Sequence, residues 1–489
     1  MAKRKNVAEA SEFELTEFND QINITTLLNT DYKAYAGYTV FNRAIPSLAD
    51  GFKTVQRKIM YTALGELKGN KPIKVAALGG FVMAKSHYAH GDASLESAIV
   101  TMGQGFKQSL PYFLPDSDFG EIYTPQAGAA RYISMYKSDV FDLLMKDSNQ
   151  LIKQYAEGDE IEPTHYLPII PTVLINSTEG MAVGYSSNII NKNPLGLIDA
   201  CIDYVKTGKL DDSLELIPYF QGAIGRYVNY TNHVGDSRFE HYGLWEQVNP
   251  KMLRVTGLPA GTTLEKFEEH LNSLIDVGQI FDWVNRSENN KINYEVHFDK
   301  NVLADIIKKG TVLNVLKLFT RLQVDNLTML DIDGKVKRFD NVAQVIRRFI
   351  DWRMPYVETR RQLKIDEINK KIKAANDKLK FIELVQAGKI DVKSFVSRAD
   401  AAEKLSKFDL PVEMVDIKIY SISKEEVDKL KKSIVDLLKE LSYYEKLTAK
   451  KMYLTDLTDL LKAVEAKGYQ RDECEYIVDK VWQAQLAQQ

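Results

Sequence analysis

The feature that most constrains this chain is a pair of long apolar seams in its last third. From Asn341 onward the sequence is highly charged, yet apolar residues recur at steps of three and four. The first seam comprises Ile365, Ile368, Ile372, Ala375, Leu379 and Ile382, and the second comprises Val427, Leu430, Ile434, Leu437, Leu441 and Tyr444. This spacing predicts the two helices of a long antiparallel coiled coil.

The stretch between the seams, about residues 388–420, is expected to form a globular helical cap that contacts a second copy of the chain. A continuous helix over residues 341–387 would be about 70 Å long. Pro355 is expected to kink this helix or to delay its start, because proline lacks a backbone N–H and clashes with the preceding turn.

The composition is that of an ordinary globular protein. The chain has 489 residues, of which 45% are hydrophobic and 27% charged, and its net charge is −3. This length predicts two to four domains. The two cysteines, Cys201 and Cys474, share no motif, which excludes a Cys-rich zinc site and favours a reducing, cytoplasmic location. No long apolar run and no signal peptide is present, so no membrane association is expected.

Sequence patterns divide the chain into four regions and predict an α+β multidomain protein. Residues 1–29 begin with the basic MAKRK and are interpreted as an N-terminal arm with a solvated terminus. Residues 30–160 carry helix signals broken by Gly and Pro, whereas residues 161–339 are rich in strand signals. Within the latter, Asp333-Gly334 predicts the turn of a β-hairpin. Residues 340–489 form the helical region with the two seams.

A basic segment lies in the second of these regions. Between Asp31 and Leu110, ten Lys and Arg residues stand against five Asp and Glu residues, which gives a local charge of +5. Lys53, Arg57 and Lys58 are expected on the open side of a helix, where they would contact DNA phosphates. The alternative is an ordinary solvated surface rich in lysine.

Two histidines, His87 and His90, stand three residues apart in SHYAHGD. Such a pair on a helix can bind a metal ion, but a zinc site needs a further ligand and no matched motif lies nearby. Binding of phosphate and a purely structural, hydrogen-bonded pair are the other interpretations, and the spacing leaves all three open.

The dipeptide Arg131-Tyr132 follows three small residues in GAARYISM. A phenol ordinarily has a pKa of about 10, so a nucleophilic tyrosine needs a cation or a base nearby. Arg131 supplies a permanent charge and a planar fork that fits phosphate oxygens. The alternative is a core aromatic with an arginine beside it. No P-loop and no acidic metal cluster is found, so a metal for phosphodiester chemistry is expected to come from another chain.

Four ordered blocks resemble the breakage-reunion subunit of type IIA DNA topoisomerases, such as the A subunits of gyrase and topoisomerase IV, and in size the medium subunit of tailed-phage topoisomerases. NRAIPSLADGFKTVQRK is similar to the block R-[AS]-[IL]-P-x-x-x-D-G-x-K-P-x-x-R, with Thr54 in place of proline. HYAHGD resembles H-x-H-G-[DE] with one extra residue, DFGEIYTPQAGAARY resembles N-F-G…A-A-x-R-Y, and NSTEGMAVGYSSNIINKNP resembles the G-I-[AG]-x-G block.

The resemblance implies catalytic roles for four residues. Tyr132 matches the nucleophile that forms a 5′-phosphotyrosine link with DNA. Arg131 and Arg43 match the arginines that stabilise the phosphate at the cleavage site. His90 matches the active-site histidine.

It also implies contacts with DNA for five further residues. Lys53, Arg57 and Lys58 fall where the family contacts the DNA backbone, and His87 corresponds to an earlier histidine of the family only approximately. Met181 takes the place of an isoleucine that wedges between base pairs and bends the duplex.

The implied architecture is a winged-helix cleavage domain at 30–160, a mixed α/β tower domain at 161–339, and a coiled coil with a helical C-gate at 340–489. The implied partners are double-stranded DNA, a second copy of the chain, and one or two subunits that carry the Mg²⁺-binding TOPRIM domain and the ATP site. We therefore expect an ATP-dependent type II topoisomerase, acting in the cytoplasm, or in the host cytoplasm if the chain is encoded by a phage. Because the gyrase DNA-wrapping domain has no counterpart, relaxation and decatenation are expected rather than supercoiling. The alternative is a non-catalytic dimer that bridges DNA.

Overall fold

The structure is a computed structural model that describes residues 23–69, 71–176, 179–214, 216–219, 226–231, 237–288, 291–321, 325–392, 395–416 and 424–469. Most of the predicted N-terminal arm, residues 1–22, therefore lies outside the described residues. The helix-and-sheet class predicted from the sequence is confirmed, since long helices and several small antiparallel sheets alternate along the chain.

The described chain begins with a helical segment that changes its period three times. Helix α1 (Ile24–Leu27) continues as a π-helical turn over Leu28–Tyr32, then as α2 (Lys33–Tyr38), and then as a second π-helical segment over Thr39–Ala44. The Asn23 side chain accepts a hydrogen bond from the Thr25 N–H at 2.9 Å and so caps the first turn. π-helical turns are rare and frequently lie at functional sites.

A unit of three long helices, one short helix and a three-stranded sheet follows. Its elements are α3 (Thr54–Glu66), β1 (Ile73–Lys74), α4 (Val75–Lys85), α5 (Asp92–Thr101), β2 (Phe113–Pro115), β3 (Ser134–Lys137) and the short α6 (Phe141–Leu144). The strands are antiparallel in the order β1–β3–β2. Ile59, Leu78 and Ile99, one from each long helix, are fully buried in the same apolar cluster. This burial fixes the three helices against one another.

Two hairpins and a helix come next. They are β4 (Gln154–Ala156) with β5 (Asp159–Ile161), β6 (Gly180–Ala182) with β7 (Tyr185–Ser187), and α7 (Pro194–Thr207). Asn193 accepts a hydrogen bond from the Leu195 N–H at 2.9 Å at the start of α7, and Gly208 ends the helix with a φ of 71°. Both are sequence-readable helix boundaries.

A second body has its own core. It contains β8 (Arg226–Thr231), β9 (Ser237–Tyr242), β10 (Trp245–Asn249), β11 (Met252–Val255), α8 (Leu264–Asp276), β12 (Asp282–Asn285), β13 (Tyr294–His297), α9 (Lys300–Lys308), α10 (Val312–Val315) and β14 (Phe319–Arg321). The sheets run β10–β11–β13–β12 and β14–β9–β8. Leu253, Phe267, Tyr294 and Leu303 are buried together in this body.

The chain then returns to the first core. Residues on both sides of the predicted domain boundary at residue 160 therefore share one core. The predicted hairpin with Asp333-Gly334 at its turn is confirmed as β15 (Thr328–Leu330) and β16 (Val336–Arg338). It is tied to the N-terminal region by the Leu48 N–H, which donates to the Leu330 carbonyl at 2.8 Å. Leu195 and Met329, both from the region predicted as tower, are buried in the cluster that also holds Ile59. Sequence patterning alone does not reveal this sharing of one core.

The C-terminal region is helical as predicted. It consists of α11 (Val342–Gln386), α12 (Arg398–Ser406), α13 (Lys424–Lys446) and α14 (Ala449–Ala466). Helix α11 packs against α13, and α14 packs against α7 and α11. Pro355 does not delay α11, which begins at Val342 and runs through the proline as one 45-residue helix. Among the described residues, no helix is both long and apolar enough to cross a membrane.

A buried ionic network joins the base of α11 to the first core. The Arg353 side chain is fully buried, and it donates to the Pro168 carbonyl at 3.0 Å and to the Asp147 carboxylate. Arg360 contacts the same Asp147 at 3.2 Å and also pairs with Asp456 of α14, which Lys146 reaches at 2.7 Å. Three separated parts of the sequence therefore meet in one charge network.

Candidate active site

The turn that carries Arg131 and Tyr132 is held by backbone contacts on both sides. The Tyr132 N–H donates to the Ala129 carbonyl at 2.8 Å, and β3 begins two residues later. The first two N–H groups of α4 donate to this turn: Val75 to the Ile133 carbonyl and Ala76 to the Ala130 carbonyl, each at 3.1 Å. A helix N-terminus, whose N–H groups lack partners within the helix, is thereby satisfied by the turn.

The side chain of Tyr132 points outward from this hydrogen-bonded turn. It is 73% exposed, whereas the adjacent Ile133 is buried and anchors the turn in the core. The interpretation of Tyr132 as a core aromatic is therefore wrong. The guanidinium carbon of Arg131 lies 5.5 Å from the centroid of the Tyr132 ring, so a permanent positive charge stands beside the phenol.

A second group of side chains gathers around His90. The Tyr38 hydroxyl lies 2.9 Å from His90 Nε2, and the Tyr88 and His90 rings meet edge to face with their centroids 5.5 Å apart. Burial raises the pKa of Tyr88, while the nearby positive charge of Arg43 opposes this shift. Tyr38 and Tyr88 therefore both contact His90, and the charge of Arg43 acts on Tyr88; we call these four residues the His90 cluster.

The structure brings together some predicted residues and leaves others apart. Arg43 and His90 belong to the His90 cluster, where Arg43 acts through its charge on Tyr88 and His90 through contacts, and Arg131 and Tyr132 meet in their turn. Within the described part of the chain, no hydrogen bond, ion pair or ring contact joins these two groups. Sequence reasoning missed Tyr38 and Tyr88, although Tyr88 lies between the two histidines.

His87 does not take part in the His90 cluster. Its backbone has a φ of 50°, an uncommon value for a residue other than glycine. Its ring nitrogens face the tip of the β4–β5 hairpin, where they lie 3.7 Å from Glu157 and 3.4 Å from Asp159. These contacts fit the interpretation of a structural histidine. In the described ranges, no group of three or more His, Cys, Asp or Glu side chains is placed to hold a metal ion.

Arg57 differs most from its prediction. It is only 9% exposed, so its expected position on the open side of α3 is wrong. Its Nε donates to Asp50 Oδ2 at 2.8 Å and its Nη2 to Asp50 Oδ1 at 3.0 Å. Burial alone would lower the pKa of Arg57, but the charge and hydrogen bond of Asp50 outweigh it, and the net shift is upward. This side chain holds the fold together at the Asp50-Gly51 turn.

Asp50 accepts most of the hydrogen bonds that hold that turn, which gives a structural reason for the Asp-Gly pair in the block NRAIPSLADGFKTVQRK. Its carboxylate is fully buried and also accepts hydrogen bonds from the Phe52 and Tyr166 N–H groups at 3.1 and 3.0 Å. Gly51 has a φ of 71°, and a Cβ there would lie 2.7 Å from the Val173 nitrogen. Only glycine fits this conformation and this space.

Lys53 and Lys58 are partly buried and already have partners. The Lys58 ammonium contacts the Glu162 carboxylate at 2.9 Å and the Ser86 carbonyl. The Lys53 ammonium donates to the Glu179 carbonyl, and burial lowers the pKa of Lys53 against the opposing charge of Glu179. Their contact with DNA stays a prediction.

Met181 lies on the β6–β7 hairpin and is 89% exposed. The hairpin rests on the second π-helical segment: Ala182 packs against the cluster of Val40, Ala44 and Ile45. At Gly180, a Cβ would overlap the Ala44 carbonyl group and lie 2.8 Å from its carbon. The support for Met181 is thus the same segment that carries Arg43.

Comparison with known proteins places these features in a family. From residue 43 to residue 460 the chain matches the family of DNA gyrase/topoisomerase IV A subunits. The DNA topoisomerase medium subunit of Enterobacteria phage T4 is 27% identical over 446 residues, which cover 90% of this chain and 98% of that protein.

Longer relatives and a solved structure give the same match. The putative mitochondrial DNA topoisomerase 2 of Caenorhabditis elegans is 29% identical over 84% of this chain, and DNA topoisomerase 2 of Arabidopsis thaliana is 31% identical over 74% of it. The matched regions are only 36% and 25% of those proteins' lengths. The Plasmodium falciparum topoisomerase II DNA-binding, cleavage and re-ligation domain has a TM-score of 0.77 and 25% identity, covering 90% of this chain and 64% of that one.

Proposed function

Because this chain belongs to the family of DNA gyrase/topoisomerase IV A subunits, we propose that it is the DNA-cleaving subunit of an ATP-dependent type II topoisomerase. The observation that carries the proposal is the exposed phenol of Tyr132 on a rigid turn beside the guanidinium of Arg131. A core aromatic needs neither exposure nor a neighbouring cation, whereas a nucleophile that approaches a phosphate needs both.

In the proposed reaction, the Tyr132 oxygen attacks the phosphorus of a DNA phosphodiester and the bond from phosphorus to the 3′ oxygen breaks. The phenol loses its proton and the departing 3′ oxygen gains one, which leaves a 3′-hydroxyl and a 5′-phosphotyrosine. The link conserves the energy of the broken bond, so attack by the 3′-hydroxyl reverses the step. Two such cuts, one from each protomer of a homodimer, open a duplex.

Other residues are proposed to bind the phosphate or to bend the DNA. The Arg131 fork and the Arg43 guanidinium stabilise the charge on the phosphate oxygens during transfer. His90 contacts the same phosphate through its ring. Met181, exposed on its hairpin, is the apolar wedge that unstacks a base step and bends the duplex.

The architecture fits this assignment. We assign α3 to α5 with β1 to β3 as the winged-helix unit, the second body as the tower, and α11 with α13 as the coiled coil. The apolar cluster at its far end, which includes Phe381, Ile390 and Leu405, lies where the C-gate is proposed.

The described residues do not form a metal site of their own, so no step is assigned to a metal in this chain. We propose that partner subunits with TOPRIM and ATPase domains supply Mg²⁺ and ATP.

The test is cleavage of supercoiled plasmid by the chain assembled with its partner subunits and Mg²⁺, trapped with denaturant. Tyr132→Phe is expected to abolish protein-linked double-strand breaks and to change the Kd for DNA by less than about twofold, since only one exposed hydroxyl is lost. Tyr443→Phe, which alters another exposed tyrosine, on α13, is the matched control and retains wild-type cleavage. A Tyr132→Phe protein that still yields protein-linked breaks contradicts the proposal.

The same assembly tests the second candidate, a non-catalytic dimer that bridges DNA. That function predicts DNA binding without covalent trapping in the wild-type protein. Relaxation and decatenation of the plasmid substrates, rather than supercoiling, are the expected outcomes for the enzyme.

A further inference from the structure

We infer that Tyr38, which no motif singles out, is a positioning residue that holds the His90 ring in the orientation used during DNA cleavage. The inference rests on the proposed function, because it assigns Tyr38 a role through His90. The chain has an unusual helical period around Arg43, which lies in the second π-helical segment.

The π-helical segment Thr39–Ala44 brings Tyr38 and Arg43 to the same side. In an α-helix, residues five apart point about 140° away from each other. In a π-helix the hydrogen bonds run between residues five apart, so such residues lie nearly above one another. The Ile45 N–H donates to the Val40 carbonyl, five residues earlier, at 3.4 Å. Tyr38 and Arg43 both act electrostatically on Tyr88, in agreement with this placement.

Two contacts then define the orientation of the His90 ring. The Tyr38 hydroxyl is hydrogen-bonded to Nε2 at 2.9 Å. The Tyr88 ring contacts the imidazole at an interplanar angle of 76°. In the part of the chain that is described, Nδ1 of His90 has no hydrogen-bond partner. When the Tyr38 hydroxyl donates to Nε2, the neutral ring carries its proton on Nδ1 and presents that N–H to a phosphate oxygen. Tyr38 thus selects which nitrogen faces the DNA.

The experiment compares Tyr38→Phe, His90→Ala and the double variant in the assembled enzyme. Its readouts are the single-turnover rate of covalent cleavage at saturating DNA and, separately, the Kd for a short duplex. Phenylalanine keeps the ring and removes only the hydroxyl. Tyr38→Phe is expected to slow cleavage about five- to tenfold, the effect of one lost hydrogen bond, with the Kd unchanged. In the His90→Ala background it is expected to have no further effect, because a residue that acts through His90 cannot act without it.

Tyr35→Phe provides a matched control, because Tyr35 is an exposed tyrosine of the same helix. Selective ¹⁵N labelling of histidine adds a spectroscopic readout, in which the imidazole nitrogen shifts of His90 change in Tyr38→Phe and stay fixed in Tyr35→Phe. Wild-type cleavage by Tyr38→Phe, or an equal slowing with and without His90, overturns the inference. Failure of the unaltered enzyme to form any Tyr132-dependent covalent complex is a different result, which refutes the proposed function itself.

Discussion

Gly180 is the position where the smallest change is expected to have the largest effect on the candidate site. It belongs to the hairpin that presents Met181 and faces the Arg43-bearing segment, and an added Cβ would overlap the Ala44 carbonyl group. The φ of Gly180 lies outside the left-handed region, so alanine fits the backbone conformation and only the space is missing. Gly180→Ala therefore isolates the contact between the two elements.

The overlap sets the size of the effect. The neighbouring atoms are backbone rather than the end of a flexible side chain, so the hairpin and the π-helical segment must separate. A shift on the order of 1 Å at a catalytic group lowers a reaction rate by about 100-fold. Overpacking of this kind destabilises a protein by about 1–3 kcal/mol, which leaves a large domain folded.

The assay measures DNA bending by energy transfer between dyes on the ends of a short duplex, together with covalent cleavage. We expect Gly180→Ala to bend DNA less and to cleave it about 100-fold more slowly. Gly65→Ala is the matched control: it adds the same methyl group within α3, where nothing lies within 4 Å, and stability is expected to stay the same or rise slightly. Wild-type bending and cleavage by Gly180→Ala would refute the claim that this contact positions the site.

Two further predictions concern the buried charges. Asp50→Asn removes the charge that holds Arg57 and is expected to lower the free energy of unfolding by about 3 kcal/mol, as measured by denaturant titration. Arg353→Met removes the fully buried one of the two arginines that pair with Asp147; a similar loss is expected, with faster hydrogen exchange at the base of α11. Lys153→Met, which removes an exposed ion pair, is the control for both and is expected to leave unfolding nearly unchanged. Equal stability of all three variants would contradict the reasoning.

The parts of the fold that depend on periodicity were predictable from the sequence. Apolar steps of three and four indicated α11 and α13, and Asp333-Gly334 indicated the β15–β16 hairpin. The effect of Pro355 on the start of α11 was not predictable, because it depends on tertiary contacts. Arg353 and Val357 are buried on either side of the proline, so packing holds the helix where local propensity would have interrupted it.

Part of the candidate site was likewise predictable from the sequence, and part was not. Motif order predicts Arg43, His90 and Tyr132 as site residues, and this stays a prediction; spacing alone did not indicate that the Tyr132 side chain is exposed. Three small residues before a tyrosine suit a buried ring as well as a presented one. Arg57 was misplaced because its partner Asp50 belongs to the preceding turn, and helix periodicity carries no information about that turn.

The candidate site is supported by backbone contacts. Val75 and Ala76 hold the Tyr132 turn through their backbone N–H groups, and Gly180 lets the Met181 hairpin approach the Ala44 backbone because it has no side chain. Such contacts do not depend on polar or charged side chains, so no motif in the sequence reveals them. The groups that are proposed to meet DNA can therefore remain exposed, because their positions are fixed from behind by backbone. The rigidity that the proposed phosphoryl transfer requires is thus provided by backbone contacts rather than by the side chains proposed to act on DNA.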